Sequence, residues 1–151
     1  MKKIIFITAI ASLFLTGCFS GENKITCTIE EDAMGVSMKG KVVAKYTDDK
    51  ITTIKMTVRS DLSYMKDLYK NKEEYEAAIK EMEDEYKEEI KKGFKISTDV
   101  KNDVMTVVIE INLKAASDED IEEGLGIAIK DLTPEELIEK LEEQQFSCSK
   151  K

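Results

Sequence analysis

The three cysteines are the first candidates for chemistry, and the absence of histidine limits what their thiols can do. The 151-residue chain contains Cys18, Cys27 and Cys148 but no histidine. Histidine is the usual base beside a catalytic serine or cysteine and a common ligand of zinc and haem. The sequence therefore excludes Ser-His-Asp and Cys-His hydrolases and His-ligated metal centres. Acylation, disulfide formation and redox exchange remain as chemistry for the thiols.

Cys18 ends a short apolar segment at the start of the chain. Lys2 and Lys3 precede a largely apolar stretch over residues 4–15. This stretch is too short to cross a bilayer core of ~30 Å as a helix, and it is typical of a signal peptide. The residues directly after it, Leu15-Thr16-Gly17-Cys18, resemble the lipobox of bacterial lipoproteins. In that motif the cysteine receives a diacylglyceryl group and becomes the mature N-terminus. The alternative is a signal peptide cut elsewhere, with Cys18 as an ordinary thiol.

The lipobox predicts how the chain is divided and where it is located. We expect residues 1–17 to be the lipoprotein signal peptide, Cys18 the lipid attachment residue, 18–24 a tether and 25–151 a single domain. Two acyl chains, palmitate among them, would hold the protein stably on the extracytoplasmic side of the cell membrane. Phe19 follows the cysteine where inner-membrane retention requires Asp, so in an organism with two membranes we expect the outer membrane.

Cys27 and Cys148 are the two thiols that remain after acylation of Cys18. Export would place them in a compartment that permits disulfides, and two cysteines allow one connectivity. We therefore predict a structural bridge between the first strand and the segment after the last helix. The alternative is a pair of free thiols with Cys27 buried. A redox-active pair is disfavoured because CxxC spacing is absent.

The acidic segment near residue 120 is a second candidate for chemistry. Asp118, Asp120 and Glu122 are spaced like the carboxylates of some calcium loops. However, Gly124 falls one place late for an EF-hand, and Ile129 stands where the bidentate glutamate belongs. A solvated acidic face is the favoured interpretation, and we expect neither a metal nor another cofactor.

Carboxylate pairs such as Glu30 with Asp32 are the remaining candidates for catalysis, because two acids can hydrolyse a glycosidic bond. Nothing distinguishes one pair among the 31 acidic residues, and tryptophan, the commonest platform for sugars, is absent. The excess of acidic residues also argues against nucleic acid as a partner. The chain carries a net charge of −8, and its only arginine is Arg59.

Two hairpin-rich regions would form the scaffold. Period-two alternation over residues 25–59, with turn residues at 47–50, predicts an antiparallel meander of three strands. Residues 94–98 and 105–113 predict a second hairpin. Residues 115–130 are interpreted as a loop or a short helix.

Helical periodicity appears between the hairpins and after them. Apolar residues recur at intervals of four, three, four and four, which places them on one face of a helix of about twenty residues: Tyr75, Ile79, Met82, Tyr86 and Ile90. Thr133, Pro134 and Glu136 predict the capped start of a short final helix. The order βββ-α-ββ-α predicts an α+β fold, in which an antiparallel sheet of about five strands packs on one long amphipathic helix, with a short C-terminal helix in addition.

This layout resembles the YehR-like family of small bacterial lipoproteins. The shared features are the lipobox at 15–18, the hairpin turn at 46–50, the long helix, the strands after Gly93 and an acidic, glycine-containing segment before the final helix. The resemblance implies a lipoprotein domain of unassigned biochemical function and supplies no catalytic residues. Cys27 and Cys148 are not part of the family pattern.

The predicted function is that of a membrane-tethered, non-catalytic module at the cell surface. The domain would bind a small ligand or an envelope protein close to the bilayer, to which the diacylglyceryl group on Cys18 attaches it. The alternatives are a carboxylate-based hydrolase acting on envelope glycan and a purely structural surface lipoprotein.

Overall fold

A computed structural model describes residues 23–33, 36–88 and 90–150. Its strands are β1 (Asn23–Ala33), β2 (Val36–Thr47), β3 (Lys50–Asp61), β4 (Phe94–Lys101), β5 (Val104–Asn112) and β6 (Ser147–Lys150). Its helices are a 3₁₀ helix (Ser63–Leu68), α1 (Lys72–Glu88), α2 (Asp118–Leu125) and α3 (Pro134–Glu143). Residues 1–17, predicted to be a signal peptide, and the predicted lipid attachment residue Cys18 lie outside the described residues, so both roles stay predictions.

All six strands form one antiparallel sheet in the order β4-β5-β3-β2-β1-β6. Asp48 and Asp49 have φ values of 49° and 59°, and Asn102 and Asp103 have values of 51° and 62°. Two consecutive positive φ angles are typical of the tight hairpin turns that match the twist of a sheet. Both the three-strand meander and the second hairpin are therefore confirmed.

One face of the sheet is covered by helices and encloses two hydrophobic clusters. The main cluster joins β1, β2, β3 and β5 to α2, α3 and the segment between these helices; its most deeply buried members are Ile25, Cys27, Ala44, Ile54, Ile111, Ile121, Ile129 and Leu137. The second cluster lies under the 3₁₀ helix and α1, and it contains Leu62, Met65, Tyr75, Ile79, Met105 and Val107. The part of the chain after residue 22 thus contains all of both clusters.

The predicted fold class is wrong in its strand number and in its helix layer. The sheet has six strands, because the segment around Cys148 pairs with β1 as a strand of its own. No helix in the described part of the chain is long: α1 has 17 residues, and α2 and α3 are shorter. Helix α1 covers only the β4 and β5 end of the sheet, while α2 and α3 cover the main cluster.

The exposure of the apolar residues along α1 explains the error. Tyr75 and Ile79 are buried, but Tyr86 is 42% exposed, and Ile90, beyond the end of the helix, is 51% exposed. The periodicity correctly placed apolar residues on one face of a helix. The periodicity could not show that the rest of the domain leaves Tyr86 and Ile90 at the end of this stripe exposed.

The bridge between Cys27 and Cys148 is formed, with an S–S distance of 2.04 Å and a sequence separation of 121. The two residues lie directly opposite each other in the β1 and β6 pair. Cys27 is fully buried in the main cluster. The predicted disulfide is therefore confirmed, and the free-thiol alternative is wrong.

Helix α3 starts as its sequence predicts. The Thr133 hydroxyl accepts a hydrogen bond from the Glu136 amide, while the Glu136 carboxylate accepts one from the Thr133 amide at 2.8 Å. Pro134 occupies the first turn. This capping box fixes where α3 begins and thereby positions Leu137 and Leu141 over the main cluster. Within the described ranges, none of the helices has the length and apolar character needed to cross a membrane.

Candidate ligand groove

A groove of about 430 Å³ lies between α1, the β4 and β5 hairpin and α2. Its lining combines apolar side chains with charged ones: Met82, Glu85, Tyr86, Lys91, Phe94, Ile96, Ile109, Asp120 and Glu123. Volumes of about 300–1,000 Å³ are usual for sites that bind small molecules, and such sites combine an apolar lining with a few polar groups. We refer to this region as the groove.

The floor of the groove is the covered face of two paired strands. Ile96 and Ile109 are directly opposite each other in the β4 and β5 pair, and Phe94 lies two residues before Ile96 on the same face. All three side chains are only partly buried. Met82 and Tyr86 form the helical wall, one turn apart on α1. The two strands and the helix thus enclose apolar surface that they do not fully bury.

Lys91 bridges the groove to α2. Its Nζ lies 3.1 Å from Asp120 Oδ1 and also donates a hydrogen bond to Glu123. Hydrogen bonds to Glu123 and Asp120 raise the pKa of Lys91. The pKa of Asp120 is lowered, first by its hydrogen bond with Ser117 and then by Lys91. Lys91 and Asp120 are therefore charged at neutral pH, and the ion pairs of Lys91 with Asp120 and Glu123 close one side of the groove.

Gly93 lets the turn that carries Lys91 pack closely against Ala115 and Ala116, shortly before α2. Its φ is +88°, and an added Cβ would lie 2.5 Å from the amide nitrogen of Ala116, which is closer than any side chain tolerates. The Gly93 carbonyl accepts a hydrogen bond from Asn112 at 2.8 Å, and the Phe94 amide donates one to Lys91 at 3.1 Å. Only glycine combines this backbone angle with so close an approach, so this residue determines where Lys91 meets α2.

The charge around the groove is predominantly negative. Glu85, Asp120 and Glu123 contribute three carboxylates to the lining, against the single ammonium of Lys91. The acidic residues of α1 and α2 add further negative charge nearby. An apolar floor beneath a negative rim favours a ligand that carries an apolar group next to a positive charge.

The acidic residues singled out as possible calcium ligands are not brought together. Asp120 pairs with Lys91, whereas Asp118 pairs with Lys130 at 2.8 Å. Glu122 is exposed on the same helix. Within residues 23–33, 36–88 and 90–150, no group of three or more acidic or cysteine side chains is placed to hold a metal ion.

The candidate catalytic pair lies on β1, on the side of the sheet away from the groove. Glu30 and Asp32 are both exposed, and Glu30 forms an ion pair with Lys39 at 3.0 Å. Neither residue lines the groove. The two carboxylates therefore do not form part of the groove.

A polar network fastens the opposite end of α1. Asp103 accepts hydrogen bonds from the Tyr75 hydroxyl at 3.2 Å and from Lys66 Nζ at 2.7 Å. Burial raises the pKa of Tyr75, and the hydrogen bond from Lys66 lowers that of Asp103. The network joins the 3₁₀ helix and α1 to the turn between β4 and β5. We interpret it as structural.

Sequence reasoning missed the groove because it assigned the apolar residues of α1 to the core. Two features could have indicated it. The apolar stripe continues to Tyr86 and Ile90, beyond what a short hairpin can cover. Gly93 follows three residues after Ile90, and the acidic segment at 118–123 supplies carboxylates.

Comparison with known proteins shows the fold but no family. The sequence matches no protein-family model and no curated protein. The fold is similar to that of a protein from Streptococcus pneumoniae TIGR4 whose structure was determined by NMR. The similarity has a TM-score of 0.54 at 14% sequence identity, and it covers 83% of this chain and 84% of the other. Membership of the YehR-like family stays a prediction.

Proposed function

We propose that this protein is a lipid-anchored, extracytoplasmic binding module that acts without catalysis. The observation that carries the proposal is the groove, because it leaves apolar side chains of β4, β5 and α1 partly uncovered beneath a charged rim. A concave site that combines partly uncovered apolar side chains with a few charged groups is the usual form of a ligand-binding site. The ligand would bind between α1 and α2.

The ligand class follows from the lining. The floor accepts an aromatic or aliphatic side chain. Asp120 and Glu123 share the single charge of Lys91, and Glu85 lies outside that network, so the rim keeps an excess of negative charge that attracts a neighbouring positive charge. A segment of an envelope protein with an apolar residue flanked by lysine or arginine has both properties. The volume of about 430 Å³ limits the contact to a few residues.

The anchor is supported by sequence and by redox chemistry. Basic residues, an apolar stretch and a lipobox cysteine come in that order at the start of the chain. The Cys27–Cys148 disulfide is what an oxidising compartment outside the cytoplasm permits. On this proposal Cys18 carries the lipid, and the chain shares the layout of the YehR-like lipoproteins.

The test uses two peptides that differ in charge alone. The tripeptide amides Lys-Phe-Lys and Glu-Phe-Glu are titrated into residues 19–151, and the melting temperature is recorded. We expect only Lys-Phe-Lys to stabilise the domain, because a ligand that binds only the folded state raises its stability in proportion to the logarithm of ligand concentration.

Matched variants locate the binding. Tyr86→Ala removes part of the apolar wall, and Glu85→Lys reverses one rim charge. Each is expected to weaken Lys-Phe-Lys binding by at least about five-fold, corresponding to ~1 kcal/mol. Glu139→Lys makes the same charge change on α3, away from the groove, and should bind like the wild type. Equal loss in all three variants, or no stabilisation by either peptide, would contradict the proposal and favour a purely structural role.

A further inference from the structure

The open face of the sheet has the opposite charge to the groove. Side chains alternate between the two faces of a strand, so the residues that do not point toward the clusters form a single surface. Its basic members are Lys24, Lys39, Lys41, Lys45, Lys50, Lys55, Arg59, Lys95 and Lys101, and its acidic members are Glu30, Asp32, Asp61, Asp99 and Glu110. Basic residues therefore predominate on this face, although the chain as a whole carries a net charge of −8.

At the end of the sheet where β1 begins, the basic residues of this face have no acidic strand residue beside them, and the acids Asp48 and Asp49 are confined to the adjoining turn. Lys24 and Lys45 are directly opposite each other across β1 and β2. Lys41 lies further along β2, opposite Thr28. Lys24 and Lys41 are exposed, and neither forms an ion pair with another described residue. At the other end of β1 the charge is partly neutralised, because Glu30 pairs with Lys39.

The predicted anchor lies close to this positive end. Cys18 precedes Asn23, the first residue of β1, by five positions. A chain of five residues spans at most ~18 Å when fully extended. On the proposed function, the lipid therefore holds the Lys24 end of the sheet within reach of the phospholipid headgroups.

We propose that the open face docks the domain onto the surface of an anionic phospholipid bilayer. The helix layer, which is acidic, lies on the other side of the sheet, and packed layers are separated by ~10 Å. At physiological ionic strength the Debye length is ~8 Å, so repulsion between the helices and the bilayer is largely screened. The nearer lysines then dominate the interaction, and the groove faces away from the membrane toward partners outside.

Vesicle binding tests this docking without the lipid anchor. Residues 19–151, which contain both hydrophobic clusters, are mixed with phosphatidylcholine vesicles with and without phosphatidylglycerol, and the bound fraction is measured by flotation. We expect binding only to the anionic vesicles, and loss of binding at high salt. Each lysine near an anionic surface strengthens binding by about five-fold. Lys24→Gln with Lys41→Gln should therefore weaken it by roughly 25-fold.

The control removes two lysines from the helix layer. Lys80→Gln with Lys140→Gln changes the net charge equally and should leave vesicle binding unchanged. Circular dichroism verifies that both double variants are folded. Equal effects of the two double variants, or no binding of the wild-type domain to anionic vesicles, would overturn the proposal. Binding to soluble polyphosphate but not to vesicles would also overturn it and assign the face to an anionic polymer.

The result separates this inference from the proposed function. The groove variant Tyr86→Ala should bind vesicles like the wild type, since the groove lies on the opposite side of the sheet. A domain that binds vesicles but not Lys-Phe-Lys would support the docking face and contradict the groove. A full chain that lacks acylation at Cys18 would contradict the anchor while leaving vesicle binding of the domain intact.

Discussion

Reduction of the Cys27–Cys148 disulfide should destabilise the domain strongly. The bridge closes a loop with a sequence separation of 121. For a loop of that length, the lost entropy of the denatured chain corresponds to about 5 kcal/mol at 25 °C. In a domain of this size that is a decrease of roughly 15 °C in melting temperature.

The position of the bridge decides whether the full effect is seen. Strand β6 has four residues and pairs only with β1, at the edge of the sheet. Phe146, directly before β6, packs on the main cluster, and Lys150 forms an ion pair with Glu135. These contacts should hold β6 in place after reduction. Reduction then lowers the free energy of unfolding by increasing the entropy of the denatured chain, and the native contacts of β6 stay intact.

Urea unfolding of the oxidised and the reduced protein measures the difference, with circular dichroism as the probe. Reduction of the wild-type chain is preferable to substitution, because replacing the buried Cys27 would also change the packing. Hydrogen exchange of the β6 amides provides the control. A change in unfolding free energy below about 1 kcal/mol, with β6 amides still protected, would refute the loop-closure reasoning.

Three further predictions concern the turn at the groove, the network at Asp103 and the anchor. Gly93→Ala should lower the free energy of unfolding in urea by about 2–4 kcal/mol, because it adds a backbone clash to an unfavourable φ. Gly126→Ala should lower it by only ~1–2 kcal/mol, because its φ is also positive but its Cβ would meet open space. Equal decreases in the two variants would contradict the close packing at Gly93. The pKa of Asp103 is held below its ordinary value of 3.8 by Lys66, so its contribution to stability is present above that pH and is lost as the pH falls through the lowered value. The melting temperature of Asp103→Asn should accordingly fall less on acidification than that of the wild type, and identical pH profiles would count against this. The full chain recovered from bacterial membranes should begin at Cys18 and carry a diacylglyceryl mass, which Cys18→Ala should abolish; an unmodified N-terminus elsewhere would contradict the lipobox interpretation.

The sequence predicted the strands well because their determinants are local. Alternation and turn residues located the meander and the second hairpin, and Thr133 with Glu136 located the start of α3. The Cys27–Cys148 bridge followed from the number of cysteines alone. The strands and the start of α3 depend on local sequence, whereas the bridge joins residues 121 positions apart and was predictable only because two cysteines allow one pairing.

The helix layer and the groove could not be predicted because they depend on how distant segments meet. Tyr86 has the spacing of a core residue, yet it is 42% exposed and lines the groove. Lys91 is part of no motif, and its role arises only because Gly93 brings its turn against the residues that precede α2. The position of β5 between β3 and β4 likewise depends on how strands distant in sequence pair, which local patterns do not indicate.

An NMR titration of the isotope-labelled domain with Lys-Phe-Lys amide tests the central claim most directly, because it shows both whether the peptide binds and where. The amides of Tyr86, Phe94 and Asp120 should shift in a saturable manner, while those of Lys24 and Lys41 on the open face stay unchanged. Glu-Phe-Glu amide should change none of these amide chemical shifts. Shifts confined to other surfaces, or none at the highest peptide concentration, would contradict the groove as the binding site.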